Sequence, residues 1–490
     1  MSWIRKPQAL GQSLLLALIA AGLRLPDLGR PHAVVFDETY YVKDGWSLFQ
    51  VGYEQKAVDG ADEKMLAGST DILLNEASYV VHPPFGKWVI GFGENIFGLN
   101  PFGWRIMVAL LGIIAVVVVH RVARRLFKHE LTAAIAGLLM AIDGMAIVHS
   151  RTALLDQTLM FCMLIAFAAV VMDRDFVKAK LAGTISNTRI GFRPWLIVAS
   201  VFLGLAIATK WSALWFVIGC GLLVVLFTAR TRIQQGHSQP WLRAFAQDSL
   251  TWLPAIVIIL FGVYLAAWSG WLLTDGAWDR DWAQTHPGEG VQWLPEALRS
   301  LLAYHQAAWN FHVSLSSAHS YSANPWTWPL QLRPTSFFYE SYTTGKNGCV
   351  TGPCSAEVLA LGNPLIWWAG TLALIHQLWE ALVKRNTVAT AIVIMFLVGW
   401  APWLLFQNRT VFSFYSIVML PFVCLALARS LGQLLGSADI SSRMRKVRAT
   451  MVGSFMVAVV AVSIFFLPLW TGETISYRYW QLHMWLTTWI

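Results

Sequence analysis

Charge is scarce in this chain. Only 13% of its 490 residues are Asp, Glu, Lys or Arg, against roughly 25% in an ordinary soluble domain. That shortage, beside a hydrophobic share of 56%, excludes a conventional soluble fold. Cysteine is also sparse, at five residues, which excludes a disulfide-built scaffold. No Walker A loop, dinucleotide fingerprint or HExxH zinc motif occurs, so ATP-driven transport and zinc proteolysis have no local support. No internal repeat is visible, and many transporter folds are built on one.

What is present are apolar runs of bilayer-crossing length. The sequence predicts eleven, over 10–29, 102–120, 131–149, 152–172, 195–209, 212–229, 250–271, 362–382, 387–406, 411–429 and 450–469. Mean hydropathy is +0.54, and 26 Trp suit two interfacial belts. The net charge of +9 would suggest nucleic acid in a soluble protein. Here most Lys and Arg fall in short connections, such as Arg121-Arg124-Arg125-Lys128 and Arg443-Arg445-Lys446-Arg448. That is the positive-inside pattern, and it predicts the N-terminus inside and the C-terminus outside. The run after Arg5 and Lys6 reads as an uncleaved signal anchor. The fold class expected is an all-α polytopic membrane protein.

Two long loops then lie outside, 30–101 and 272–361, and loops of that length are usually functional. The stretch 471–490, with Trp480, Met484, Trp485 and Trp489, reads as an interfacial segment or a frayed helix end. Cys162, Cys220 and Cys424 sit in apolar runs as small core residues. Cys349 and Cys354 share the second external loop, where a disulfide is expected. Their spacing does not suit a zinc ribbon.

The first loop opens Phe36-Asp37-Glu38-Thr39-Tyr40-Tyr41, placing two acids just past the first span. A hydroxyl is a poor nucleophile until a base takes its proton, so a carboxylate at the membrane edge could serve a transfer from a lipid donor. The bland reading is two surface acids in an acid-rich loop. His82-Pro83-Pro84-Phe85-Gly86-Lys87 precedes the second span. Lys87 could hold a lipid phosphate or simply snorkel. Arg24 and Arg105 lie inside spans near the outer face, where Arg is costly and seeks a cavity or partner. Asp156 could pair with Arg151 or Arg105, and Asp143 lies in the third run. Lys210 and Arg409 sit in short external turns. Together these cations could build a phosphate site. Trp326 and Trp328 could form a platform for sugar or peptide, as could Tyr40 and Tyr41, but aromatics equally line membrane interfaces.

Several of these segments resemble one family, the protein O-mannosyltransferases of the GT-C membrane fold, and most closely its bacterial, actinobacterial-type members. The resemblance rests on Val35-Phe36-Asp37-Glu38-Thr39-Tyr40-Tyr41, His82-Pro83-Pro84-Phe85-Gly86-Lys87, Trp104-Arg105, Ser150-Arg151-Thr152-Ala153-Leu154-Leu155-Asp156, Thr209-Lys210-Trp211-Ser212 and Trp326-Thr327-Trp328-Pro329-Leu330, in family order. It implies inverting transfer of one mannose from polyprenyl-phosphate-mannose to Ser or Thr of proteins crossing a bacterial plasma membrane, on its outer side. It implies Asp37 and Glu38 as the essential acidic pair, with Asp37 the base and Glu38 orienting the acceptor or the site. Arg105, Lys87 and Arg24 would serve the donor phosphate and site architecture, with His82, Lys210, Arg409 and Asp156 as further candidates. The lipid donor and Ser/Thr-rich secreted acceptors are the implied partners, with the secretion translocon as a further candidate. No cofactor is required, although carboxylates beside a phosphate could hold a divalent ion. Loop 272–361 is too short for the β-trefoil insertion of eukaryotic relatives. The rival readings are a GT-C transferase with another sugar or acceptor, such as an aminoarabinose enzyme, and a lipid transporter or flippase.

Overall fold

The computed structural model describes residues 7–184, 188–436 and 441–490; Arg5 and Lys6 lie outside the described residues. Each of the eleven apolar runs is helical over most of its length. Among the described residues, six helices are long and apolar enough to cross a membrane, or seven if a bent pair counts as one. Ala9–Arg24, Pro194–Ile207 and Leu420–Leu435 are apolar but shorter. The helix Pro364–Leu382 carries His376, Gln377 and Glu380 in its second half, which dilutes its hydropathy.

The run at 131–149 is not one straight helix. It breaks at Asp143 into Glu130–Ile142 and Gly144–Arg151, bent by 52°. The cause is local: the Asp143 carboxylate accepts from the Met145 and Ala146 backbone N–H groups as an N-cap. Its other oxygen accepts from Asn363 N at 3.0 Å. At the centre of the bundle, Leu155–Leu181 has 78% of its apolar window buried, whereas Pro240–Ala267 has 6%. The latter is a peripheral helix with an exposed apolar surface.

Outside the bundle, the first loop folds into the helix Glu38–Val51, a two-stranded antiparallel ribbon (Gln55–Ala57 with Leu73–Ala77) and the helix Phe85–Phe97. The two helices touch through glycine. A Cβ on Gly91 would lie 2.3 Å from the Gly45 carbonyl oxygen, so any larger residue would force the helices apart. The second loop carries the helix Glu296–Ser314 and two antiparallel strands, Thr335–Tyr342 and Cys354–Ala360, running from Thr335 opposite Ala360 to Tyr342 opposite Cys354. Cys349 and Cys354 are joined, with sulfurs 2.07 Å apart.

The C-terminal stretch is docked rather than frayed. Ile475–Ser476 adds a third strand beside Cys354–Ala360. Trp480 Nε1 donates to Glu357 at 2.6 Å, Trp489 Nε1 donates to the Gln331 carbonyl, and Arg333 donates to the carbonyls of Thr488 and Ile490. Trp480 and Trp489 are buried.

Candidate functional site

Asp37 stands where the chain turns from the end of the first apolar run into the helix Glu38–Val51. The preceding Phe36 adopts φ +48°, a left-handed conformation that costs a side-chain-bearing residue roughly 1–2 kcal/mol. An aromatic cage holds it there. Its ring stacks on Phe337 at 4.9 Å and meets Phe412 and Phe414 edge-on at 5.9 and 5.5 Å. Those rings come from the second long loop and from the connection near 411–414, so two distant stretches of chain fix the backbone beside Asp37.

The two adjacent acids have different fates. Asp37 occupies the N-cap position, yet its side chain makes no capping bond. Its hydrogen-bond partner is the Tyr41 hydroxyl, at a long 3.4 Å. Burial pushes its pKa up to about 6; Lys210 opposes this, Asp156 adds to it, and the Tyr41 bond opposes it. A weakly held carboxyl with a pKa brought toward neutrality suits a general base. Glu38 is fully buried and fully used. Arg105 donates to both its oxygens at 2.8 Å, and the backbone N–H groups of Val35 and Ala153 donate at 3.0 and 2.9 Å.

The cations divide in the same way. Arg105 also donates to the carbonyls of Leu28, Pro31 and Ala33, so each of its five N–H groups has a partner. In this structure Arg105 is a clamp on the loop, the site-architecture part of the role expected of it. Lys87 is buried against Glu54 at 2.9 Å and Asp44 at 3.2 Å. Burial pulls its pKa down, but the two carboxylates outweigh burial and raise it. Its ammonium is likewise occupied by side chains of the protein itself. Arg24 donates to Ser150 Oγ and to the carbonyls of Ala20, Ala141 and Met140, which stitches the first helix to the broken one.

Lys210 is the cation whose charge acts on Asp37, and Arg409 lies in the neighbouring cluster around His312. Lys210 Nζ donates to Asp156 at 2.7 Å. The pairing of Asp156 with Arg151 or Arg105 is therefore corrected: Arg151 donates instead to the carbonyls of Arg24, Pro26 and Asp27. Arg409 donates from Nε to the His312 carbonyl at 3.0 Å, and its Nη2 lies 3.3 Å from His312 Nδ1. His82 packs beside His312, ring centres 5.1 Å apart, and beside Tyr41 at 6.3 Å. Burial, then Lys210 and His312, hold its pKa well below the usual value, so it is neutral at physiological pH. Its Nδ1 is buried without a partner.

The aromatic platform also divides. Tyr40 and Trp326 are exposed, while Tyr41 is buried against Asp37. Trp328 is fully buried, with Nε1 donating to the Ala323 carbonyl. It offers no face to a sugar, which corrects that expectation. His312, which holds Arg409 and packs beside His82, escaped the sequence reading because nothing local marks it.

The sequence profile described as dolichyl-phosphate-mannose-protein mannosyltransferase matches residues 14–269. That of the C-terminal four-transmembrane region of protein O-mannosyltransferase matches 297–489. The polyprenol-phosphate-mannose–protein mannosyltransferase of Mycobacterium tuberculosis is 34% identical over 494 residues, covering 98% of this chain and 91% of that protein. A chain of the S. cerevisiae protein O-mannosyltransferase Pmt1-Pmt2 complex bound to the sugar donor superposes with a TM-score of 0.73 at 16% identity, covering 99% of this chain and 93% of that one. ArnT from Cupriavidus metallidurans shares the fold more distantly, with a TM-score of 0.53 at 19% identity over 94% of this chain and 72% of that one.

Proposed function

The chain belongs to the dolichyl-phosphate-mannose-protein mannosyltransferase family, and on that premise we propose that it transfers one mannose from polyprenyl-phosphate-mannose to Ser or Thr hydroxyls of secreted proteins. The enzyme is a glycosyltransferase. The bond from the sugar's C1 to the donor phosphate oxygen breaks as the bond from C1 to the acceptor oxygen forms on the opposite face, inverting that carbon. Asp37 takes the acceptor's proton, and the polyprenyl phosphate departs as an anion.

The observation that carries this reading is the unequal use of the two acids. Glu38 is consumed by Arg105 and two backbone N–H groups, while Asp37 keeps a loosely held carboxyl facing Lys210. Charge-assisted bonds from Lys210 and Arg409 would hold the donor phosphate. The neutral His82 lines the same side. Exposed Tyr40 and Trp326 lie free for the acceptor.

In this reading all eleven apolar helices span the bacterial plasma membrane, N-terminus inside and C-terminus outside. The two long loops and Asp37 then face the exterior. Acceptors would arrive there unfolded, with the secretion translocon as the partner that delivers them. Purified protein should label a Ser/Thr/Pro-rich peptide from radiolabelled polyprenyl-phosphate-mannose. Label entering only a lipid or glycan acceptor would overturn the protein-acceptor reading, and no label entering any acceptor would overturn the enzyme reading as well.

A further inference from the structure

A cleft of about 730 Å³ lies between the opening of the first long loop and the hairpin of the second. The turn from Arg30 to Ala33 forms one wall, and Glu473 and Thr474, just past the last long helix, form another. The strand Thr335–Tyr342 presents Phe338, Glu340 and Tyr342 to the same space. Side chains alternate along a strand, and Phe337 points the other way, into the aromatic cage around Phe36. One strand therefore serves both the cleft and the turn that carries Asp37. Arg105 ties the opposite wall to that turn, because the carbonyls of Pro31 and Ala33 accept from it. Ala33 precedes Asp37 by four positions, a reach of at most about 14 Å.

The walls are largely polar, which suits a water-borne ligand better than a polyprenyl chain. The volume falls in the range of about 300–1,000 Å³ typical of sites that enclose a ligand. The charges in the cleft are unequal. Arg30 is already held by Asp27, and its other terminal nitrogen lies 3.5 Å from Glu473. Glu340 is exposed and has no ion pair among the described residues. Its one side-chain partner is the Tyr342 hydroxyl, which donates to it. A negative charge thus stands open in the cleft, and a cation brought in by the ligand would answer it.

We propose that this cleft is an acceptor subsite: it takes the stretch of extended polypeptide lying about four residues or more from the modified Ser or Thr, and Glu340 makes it favour a Lys or Arg there. This rests on the protein-acceptor reading given above. An extended chain advances about 3.3 Å per residue, so the span from Asp37 to the cleft fixes which flanking positions are read. A charge next to the modified hydroxyl falls short of Glu340, and a charge further along the chain reaches it.

The test is peptide KM for purified full-length protein at saturating polyprenyl-phosphate-mannose. The acceptors carry a single Thr, with Lys or Asp placed either next to it or about four to six residues away, on one side or the other. The parent protein should take the distant-Lys peptide with a KM about twofold to fivefold below that of the distant-Asp peptide, the effect of an exposed ion pair. Glu340→Lys should reverse that preference, while parent and variant should read a charge beside the Thr alike. Thr474→Trp fills the cleft without changing its charge and should raise KM several-fold for both distant-charge peptides. If Thr474→Trp does not fold, Glu340→Lys, a substitution at an exposed position, carries the test alone. Equal KM values for distant Lys and distant Asp in the parent protein would overturn the proposal, as would a preference that survives Glu340→Lys. So would a Glu340→Lys effect of equal size for adjacent and distant charges, since that is a general field and not a docked chain. If the parent protein labels no peptide at all, the protein-acceptor reading fails first and this inference falls with it.

Discussion

Arg105 and Glu38 meet side-on, with Nε to Oε1 and Nη2 to Oε2 both at 2.8 Å, and both side chains are wholly buried. The pair joins the opening of the first long loop to the helix Pro101–Phe127. Because Arg105 also gathers the carbonyls of Leu28, Pro31 and Ala33, it shapes the turn on which Asp37 stands. Two acids adjacent in sequence are therefore held differently: one anchors, and the other, loosely held, is the base in the function proposed above.

The anchor predicts a stability phenotype. Breaking a buried pair by removing one partner typically costs about 3–5 kcal/mol. Arg105→Ala should lower the melting temperature in detergent sharply and reduce folded yield, while the folded fraction keeps a near-normal donor KM. A well-folded variant defective only in donor affinity would show that Arg105 touches the phosphate after all.

The reacting acid predicts a pH profile. Asp37 must be ionised to take a proton, and its pKa is pushed up to about 6. Transfer should rise with pH through about 6 and level off above it. Lys210 lowers this pKa and Asp156 raises it. Lys210→Met should therefore move the acidic limb to higher pH, and Asp156→Asn should move it to lower pH. The position of the limb, not the height of the plateau, is what to compare. Limbs that stay put in both variants would assign the titration to another group.

The aromatic cage predicts a rate effect at a distance. Phe36→Leu leaves Asp37 in place chemically but loosens its backbone. A misplacement of about 1 Å can cost 10²-fold in rate, so kcat at saturating donor should fall about tenfold or more with donor KM unchanged. Comparing rapid-quench rates for Phe36→Leu and the parent protein measures this directly.

The disulfide predicts a local effect. Cys349 and Cys354 close a very short loop, and the chain-entropy relation gives on the order of 2 kcal/mol for such a ring. The pair lies at the Tyr342 end of the hairpin, away from Phe337 and the cage. Replacing both cysteines by Ser should lower the melting temperature modestly and leave transfer intact, as judged by thermal denaturation beside a peptide-labelling assay.

Much of this was legible in the sequence, and what was hidden has a common cause. The apolar runs declared the helices, and the Asp37-Glu38 motif lies at the turn where Glu38 meets Arg105. The cations were harder. Lys87, Arg105 and Lys210 all read as Lys or Arg near an outer surface, and only three-dimensional convergence separates them. Lys87 finds Glu54 and Asp44, Arg105 finds Glu38, and Lys210 finds Asp156, 54 residues away. Hydropathy also smoothed over the break at Asp143, although an Asp-Gly step inside an apolar run is a capping signal. His312 was invisible because a lone histidine in a long loop carries no local signal until its neighbours Arg409 and His82 are known.

The most direct measurement is a single turnover of Asp37→Asn with polyprenyl-phosphate-mannose already bound and peptide acceptor in excess. With Asp37 as the base, the transfer rate should fall by about 10²–10⁴-fold, while donor affinity and melting temperature stay close to those of the parent protein. Transfer at the parental rate by that variant would contradict the assignment outright.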